Sequence, residues 1–116
     1  MIFVIDENEV MRECVARAVR RAGREVRTFG NAIEAMAAVA SEGAPEMVFL
    51  EVMLTGPDGF AFLNEMMSYP DTAAVPVVLV TELPLSDYDL ASYGVVGVLD
   101  KSTMRPDEVM EYACRY

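Results

Sequence analysis

Histidine and tryptophan are missing from this sequence of 116 residues, and cysteine occurs only twice. Cys14 and Cys114 stand far apart along the chain, so the close ligand spacing of a structural zinc site is missing as well. These scarcities argue against a zinc site. We predict that both cysteines are buried free thiols.

Long hydrophobic runs are also missing, although apolar residues make up 53% of the chain. The run from Val75 to Val80 is far shorter than the roughly 20 residues that cross a bilayer. The first residues carry no basic stretch, long apolar segment or small-residue cleavage site, so no secretory signal is expected. We predict a cytoplasmic protein with no membrane partner.

Basic residues are scarce, because nine Lys and Arg stand against 19 Asp and Glu and the formal net charge is −10. Most of them fall in one short stretch of the chain: Arg12, Arg17, Arg20, Arg21, Arg24 and Arg27. Since phosphate contacts need a broad basic surface, we predict no direct binding of nucleic acid. The arginine stripe is interpreted as a solvated helix face, with docking to an acidic partner as the alternative.

Short apolar runs rich in β-branched residues predict the strands of a sheet. Four of them lack the alternation of a half-exposed strand and predict buried parallel strands: Ile2 to Ile5, Met47 to Leu50, Val77 to Val80 and Val95 to Leu99. A fifth segment, Glu25 to Phe29, is polar at alternate positions and predicts a partly exposed edge strand.

In the segments between these strands, apolar residues recur at the spacing of one helical face, which predicts helices there. The first helix is expected after Asn8 as N-cap and before Gly23, and the second after Asn31 and before Gly43. The other three are predicted at Phe60 to Met67, Leu85 to Tyr93 and Pro106 to Arg115. Regular alternation of strand and helix predicts a parallel sheet with helices on both faces. We predict one domain over residues 1–116, a doubly wound five-stranded α/β fold.

Polar residues follow the predicted strands at the ends where ligands bind in open parallel sheets. Those of interest are Asp6 and Glu7 after the first strand, Glu51 after the third, Thr81 after the fourth and Lys101 after the fifth. With the strand order 2-1-3-4-5, the first and third strands are neighbours, which brings the three carboxylates together. Such a set needs a compensating cation such as Mg²⁺, a shared proton or the chain's only lysine, Lys101. The plain alternative is a solvated polar rim.

Four segments in this order resemble the receiver domain of two-component response regulators, over essentially the whole chain. They are Ile5-Asp6-Glu7, the segment from Phe49 to Phe60 with its Asp58-Gly59 turn, Val78 to Thr81, and Gly97 to Lys101. Any one of these segments is weak evidence alone, because many proteins contain similar short segments. Their shared order and spacing make the resemblance specific. It implies a flavodoxin-like fold with strand order 2-1-3-4-5 and five helices.

In that family an acidic pair and an acceptor aspartate hold Mg²⁺, the aspartate takes up a phosphoryl group, and a hydroxyl and a lysine bind the phosphoryl oxygens. By position, the resemblance implies a possible Mg²⁺ site at Asp6, Glu7 and Glu51, the phosphoacceptor place at Glu51, switch places at Thr81 and Val98, and a phosphoryl contact at Lys101. It implies a protein partner such as a kinase or an output domain. The fourth helix, fifth strand and fifth helix become a candidate homodimer surface.

Several positions depart from the family pattern. Glu51 replaces the acceptor aspartate and reaches one methylene further, which misplaces it for in-line attack. Glu82 stands in place of a small residue, Ser102 in place of a proline, and Val98 in place of the aromatic switch residue. We therefore predict a pseudo-receiver, a non-enzymatic interaction module that is independent of aspartyl phosphorylation.

Two other functions stay open at this point. One is a receiver-like domain that Mg²⁺ or another ligand regulates in place of phosphorylation. The other is a small phosphatase-like enzyme, because Asp6-Glu7-Asn8 faintly resembles the nucleophile segment of phosphatases with an aspartyl intermediate. A flavin or nucleotide module is disfavoured, since Asp6, Glu7 and Glu9 would repel a phosphate group.

Overall fold

The computed structural model describes residues 1–86 and 88–116. Five strands form one sheet in the order β2-β1-β3-β4-β5, and all neighbouring strands are parallel. They are β1 (Ile2–Ile5), β2 (Val26–Phe29), β3 (Met47–Leu50), β4 (Val77–Thr81) and β5 (Val95–Asp100). The predicted doubly wound, flavodoxin-like order is confirmed, and the predicted strand ends agree to within one residue.

Helices lie on both faces of the sheet, before or after its strands. They are α1 (Glu9–Arg21), α2 (Ala32–Glu42), α3 (Gly59–Met67), α4 (Pro70–Ala73) and α5 (Pro106–Arg115). Side-chain caps fix three of the starts: Asn8 accepts from the Met11 amide, Asn31 from the Glu34 amide and Asp58 from the Ala61 amide. Each cap satisfies a backbone N–H that has no partner within its helix.

The fourth helix does not lie at Leu85 to Tyr93, where the apolar pattern predicts it. The segment holds one 3₁₀ turn, Ala91–Tyr93, and its residue Asp87 lies outside the described residues. Leu85 is buried and anchors the segment, while short turn bonds such as Tyr88 N–H to the Leu85 carbonyl replace a helical ladder. Helix α4 forms earlier instead, where Pro70 at its first turn has a backbone angle suited to a helix start.

Strand β5 is less buried than predicted. Among residues 1–86 and 88–116, β4 is the only strand that pairs with it, and Val96 and Val98 are 39% and 43% exposed on its outer face. The opposite face is covered by α5, whose Tyr112 ring lies against Gly97 so closely that a Cβ atom there would be 2.0 Å from the hydroxyl oxygen. The irregular segment before β5 therefore leaves the outer face of the strand open to solvent.

The two cysteines also differ from the prediction. Both are free, as predicted, but both are exposed rather than buried. Helix α1 buries Val15, Ala18 and Val19 against the sheet, and Cys14 lies beside this stripe on the solvent side. Because cysteine is apolar and Cys14 has helical spacing with the buried residues, the sequence placed it on the buried face of α1. The buried face is narrower and does not include it.

Two hydrophobic layers sandwich the sheet because successive strand residues point to opposite faces. On one face Phe3, Ile5 and Leu50 pack with α2 and α3, and on the other Val4 and Phe49 pack with α1 and α5. Within the described ranges, none of the helices has both the length and the apolar character that a bilayer crossing requires.

Candidate functional site

Two buried carboxylates stand side by side at the carboxyl ends of the central strands. Asp6 follows β1 and is 4% exposed, and Glu51 follows β3 and is 5% exposed. The Asp6 amide donates to the Phe29 carbonyl, and the Glu51 amide donates to the Ile5 carbonyl, each at 3.0 Å. These bonds continue the sheet ladder one step past the strands, so the backbone itself fixes the two carboxylates next to each other.

Lys101 bridges these two carboxylates. Its Nζ lies 2.7 Å from Asp6 Oδ2 and 2.7 Å from Glu51 Oε1, and its side chain is only 10% exposed. The Lys101 amide donates to the Thr81 carbonyl at 3.2 Å, which ties the end of β5 to the end of β4. The predicted meeting of Asp6, Glu51 and Lys101 is thus present in the structure.

The remaining carboxylate oxygens are held by backbone amides. Glu51 Oε2 accepts from the Val52 amide at 2.6 Å and from the Met53 amide at 3.2 Å. Asp6 Oδ1 accepts from the Asn8 amide at 2.9 Å, in the turn that leads into α1. Both side chains therefore have fixed orientations, and the Glu51 carboxylate points to Lys101 and not to solvent.

The charges of Glu51 and Lys101 stabilise each other. Burial alone raises the pKa of Glu51, but the contact with the Lys101 ammonium group and the nearby Thr81 hydroxyl outweigh it and hold this pKa below its ordinary 4.5. Burial alone lowers the pKa of Lys101, whereas its contacts with Asp6 and Glu51 raise it above the ordinary 10.5. The pair is therefore ionised at neutral pH.

Replacing Glu51 with glutamine is expected to lower the free energy of unfolding by about 1–2 kcal/mol at neutral pH, because the Lys101 ammonium group loses one of its two anionic partners and keeps only a neutral amide in its place. A carboxylate with a lowered folded-state pKa stabilises the protein above its unfolded value, near 4.5, and loses this contribution as pH falls through the folded pKa. Urea denaturation of both proteins from neutral to acidic pH measures the difference. It should shrink on acidification, and a constant difference would contradict the ion pair.

Glu7 does not join the other two carboxylates as predicted. Its side chain is exposed and accepts from the Thr55 amide at 3.3 Å. Successive residues of an extended segment point in opposite directions, which separates Glu7 from Asp6. The acidic pocket therefore contains two carboxylates and one ammonium group.

The pocket as arranged does not fit the three-carboxylate Mg²⁺ site that was predicted. Across residues 1–86 and 88–116, no three His, Cys, Asp or Glu side chains are grouped closely enough to hold a metal ion. In the same ranges, every buried side-chain nitrogen and oxygen atom has a hydrogen-bond partner. No buried carboxylate oxygen there is left unpaired as a ligand for a cation. The Lys101 ammonium takes the position between Asp6 and Glu51 in this conformation.

The two switch positions lie in different environments. Thr81 is buried at the site, and its hydroxyl oxygen accepts from the Leu83 amide at 3.3 Å. Val98 is 43% exposed on the outer face of β5 and is paired in register with Leu79, two positions before Thr81. Glu82 is exposed beside the site. Thr81 thus belongs to the pocket and Val98 does not.

Two supporting contacts were missed by the sequence reasoning. Arg12 donates from Nη1 to the Asp6 carbonyl at 2.9 Å, although its place in the arginine stripe suggested a solvated side chain. Ser102 donates to Asp100 Oδ1 through both its amide, at 2.8 Å, and its hydroxyl, at 2.6 Å, in the turn after β5. Helical spacing gives no signal for the first contact, whereas an Asp-x-Ser turn is a pattern that could have revealed the second.

Known proteins are similar to this chain in sequence and in fold. The family described as response regulator receiver domain matches residues 2–113. The probable transcriptional regulatory protein TcrX of Mycobacterium tuberculosis is 34% identical over 98% of the chain. The chain spans 47% of that relative, about half its length.

Solved structures of response regulators have the same fold as this chain. The receiver domain of NtrX from Brucella abortus is 28% identical, with a TM-score of 0.82 over 99% of this chain and 98% of that one. The Mn²⁺-bound form of response regulator Rcp1 is 20% identical, with a TM-score of 0.76 over 98% and 88%, and supports the fold alone. The chain described here belongs to the response regulator receiver domain family.

Proposed function

We propose that this receiver domain is a protein-interaction module that works without aspartyl phosphorylation. The contact between Lys101 Nζ and Glu51 Oε1, 2.7 Å, supports the proposal most directly. By family resemblance, this lysine contacts a phosphoryl oxygen. In this chain a permanent carboxylate supplies the negative charge that the ammonium group needs.

The way in which Glu51 is held also disfavours nucleophilic attack. One oxygen is bound by Lys101, and the other accepts from the Val52 and Met53 amides. An attacking carboxylate needs a free oxygen in line with the phosphorus, and a misplacement of about 1 Å can cost roughly 100-fold in rate. We infer that the longer side chain and its fixed orientation both oppose phosphoryl transfer.

Acetyl phosphate labelling tests this proposal. Wild-type protein with Mg²⁺ present is expected to remain unlabelled, whereas Glu51→Asp is expected to gain labelling of about 100-fold or more over wild type, because the shorter carboxylate cannot keep the same contacts. Intact mass and peptide mapping measure the label and its position. Glu51→Gln serves as the matched control without a nucleophile.

Labelling of the wild-type protein that disappears in Glu51→Gln would overturn the proposal. A calorimetric titration of wild type and Glu51→Asp with Mg²⁺ addresses regulation by the metal ion. That alternative needs Glu7 to leave the Thr55 amide and Lys101 to leave both carboxylates. Millimolar binding to the wild type would favour it over a metal-independent module.

We propose that the open face of β5 is where a protein partner docks. Val96 and Val98 are exposed there, at 39% and 43%. A kinase, an output domain or a second copy of the chain is the kind of partner that the family resemblance implies. The net charge of −10 disfavours nucleic acid at any such surface. No catalytic role is proposed for the domain.

A further inference from the structure

A second cavity lies outside the carboxylate and lysine site, between α3 and the irregular segment before β5. It has a volume of about 380 Å³ and is lined by Phe60, Asn64, Tyr88, Asp89, Leu90 and Tyr93. This volume falls within the range of about 300–1,000 Å³ that is typical of small-molecule sites. We refer to it as the aromatic cavity.

The aromatic cavity has preformed aromatic walls. The Phe60 and Tyr88 rings stack with their centroids 5.2 Å apart and their planes 24° apart. Tyr88 and Tyr93 line the cavity and are 56% and 38% exposed, so neither residue is closed off from solvent. The stack and the bond from the Tyr88 amide to the Leu85 carbonyl, 3.1 Å, fix Tyr88 although it lies outside any helix.

The charge of the aromatic cavity favours a cation. Asp89 is exposed at its rim, and among the described residues no basic side chain lies within ion-pair distance of it. The faces of aromatic rings carry partial negative charge, which attracts cations that approach within about 6 Å of the ring centre. The net charge of −10 adds a long-range attraction of the same sign.

We propose that the aromatic cavity binds a small organic cation with an alkylated ammonium group, of the size of choline. Aromatic faces suit such a group because its methyl substituents pack on the rings while its charge stays weakly hydrated. Asp89 lies beside the rings and supplies the counter-charge. This site is separate from Glu51 and does not depend on how the domain responds to phosphoryl donors.

NMR titration with choline tests the proposal, with neohexyl alcohol, its uncharged carbon isostere, as the matched probe. Choline is expected to give saturable shifts in the millimolar range for Phe60, Tyr88, Asp89 and Tyr93 at constant ionic strength. The isostere is expected to bind at least about tenfold more weakly, because it lacks the charge that the rings and Asp89 attract. Equal affinity for the two probes would overturn the proposal.

Variants locate the binding and separate it from loss of structure. Tyr88→Ala is expected to weaken choline binding about tenfold, and Tyr88→Phe should retain it because the ring face is kept. Tyr69, which is 54% exposed on another surface, provides the control Tyr69→Ala. An equal effect of Tyr69→Ala and Tyr88→Ala would contradict a site at Tyr88.

Asp89→Asn tests the counter-charge without removing a ring. It is expected to weaken choline binding about threefold and to leave neohexyl alcohol unaffected, since screened surface charges contribute modestly. The control Asp107→Asn removes the same charge from an exposed position on α5. If choline gives no saturable shift at the aromatic cavity in the millimolar range, or if its shifts lie elsewhere, the proposal is wrong.

Discussion

Replacing Lys101 with methionine is expected to lower the free energy of unfolding by about 3–5 kcal/mol at neutral pH, because it leaves buried charge without its partner. The lysine bridges Asp6 and Glu51 at 2.7 Å each, and all three side chains are at most 10% exposed. Methionine fills a similar volume but offers no charge. Urea denaturation followed by circular dichroism measures the loss.

The free energy of unfolding of Lys101→Met should change with pH in the opposite direction to that of the wild type. Without the ammonium group, burial and the neighbouring Asp6 carboxylate raise the folded-state pKa of Glu51, so the folded protein binds more protons than the unfolded one. Its free energy of unfolding should therefore rise as the solution is acidified from neutral pH. The wild type should show the opposite trend, because folding lowers the pKa of Glu51.

Arg17→Met is the matched control for the change in net charge. Arg17 is exposed on α1, and its replacement should change the free energy of unfolding by no more than about 0.5 kcal/mol. The double variant Lys101→Met with Glu51→Gln should recover part of the loss, because one of the two unpaired carboxylates is gone. If Lys101→Met costs no more than Arg17→Met, the bridge contributes nothing to folding.

The Lys101 bridge and the surrounding backbone amides explain how two buried carboxylates are held close together. Asp6, Glu51 and Lys101 sum to one negative charge, and backbone amides of Asn8, Val52 and Met53 donate to the oxygens that the lysine does not bind. Hydrogen bonds to the charged form favour ionisation just as an opposite charge does. The pocket therefore keeps the receiver arrangement while its central position is filled by the chain's own side chains.

The sequence predicted the sheet well because the strands are short, apolar and separated by strong helix signals. β1 and β3 were located to the residue, and the caps Asn8 and Asn31 marked where α1 and α2 begin. The fourth helix was misplaced because apolar residues near 85–93 suggested helical spacing. The burial of Leu85 and local turn hydrogen bonds determine the backbone conformation there. A pattern of apolar residues along the sequence reveals neither of them.

The candidate site was predicted in part. Knowing the strand ends and their order is enough to bring Asp6, Glu51 and Lys101 together. It is not enough to orient side chains, so Glu7 was placed in the pocket although it accepts from the Thr55 amide instead. The amides that hold Glu51 Oε2 belong to Val52 and Met53, and their positions depend on the path of the loop after β3.

Gly59→Ala is expected to lower the free energy of unfolding by about 3 kcal/mol, the upper end of the usual range for overpacking. Gly59 begins α3, and its amide donates to the Val52 carbonyl at 2.9 Å. A Cβ atom at this position would lie 2.7 Å from the Glu51 carbonyl oxygen and 2.7 Å from Val52 Cα. Both atoms belong to the backbone, so neither can move without shifting the loop or the helix.

The same substitution should also disturb the site, because the residues it displaces carry the Glu51 side chain and its amide donors. NMR should show shifts of the Val52 and Met53 amides along with the loss of stability. Gly30→Ala is the matched control, since its added Cβ would meet only the end of the Arg12 side chain at 3.5 Å and should cost no more than about 0.5 kcal/mol. If Gly59→Ala behaves like Gly30→Ala, the close packing of α3 against the loop after β3 does not constrain Glu51.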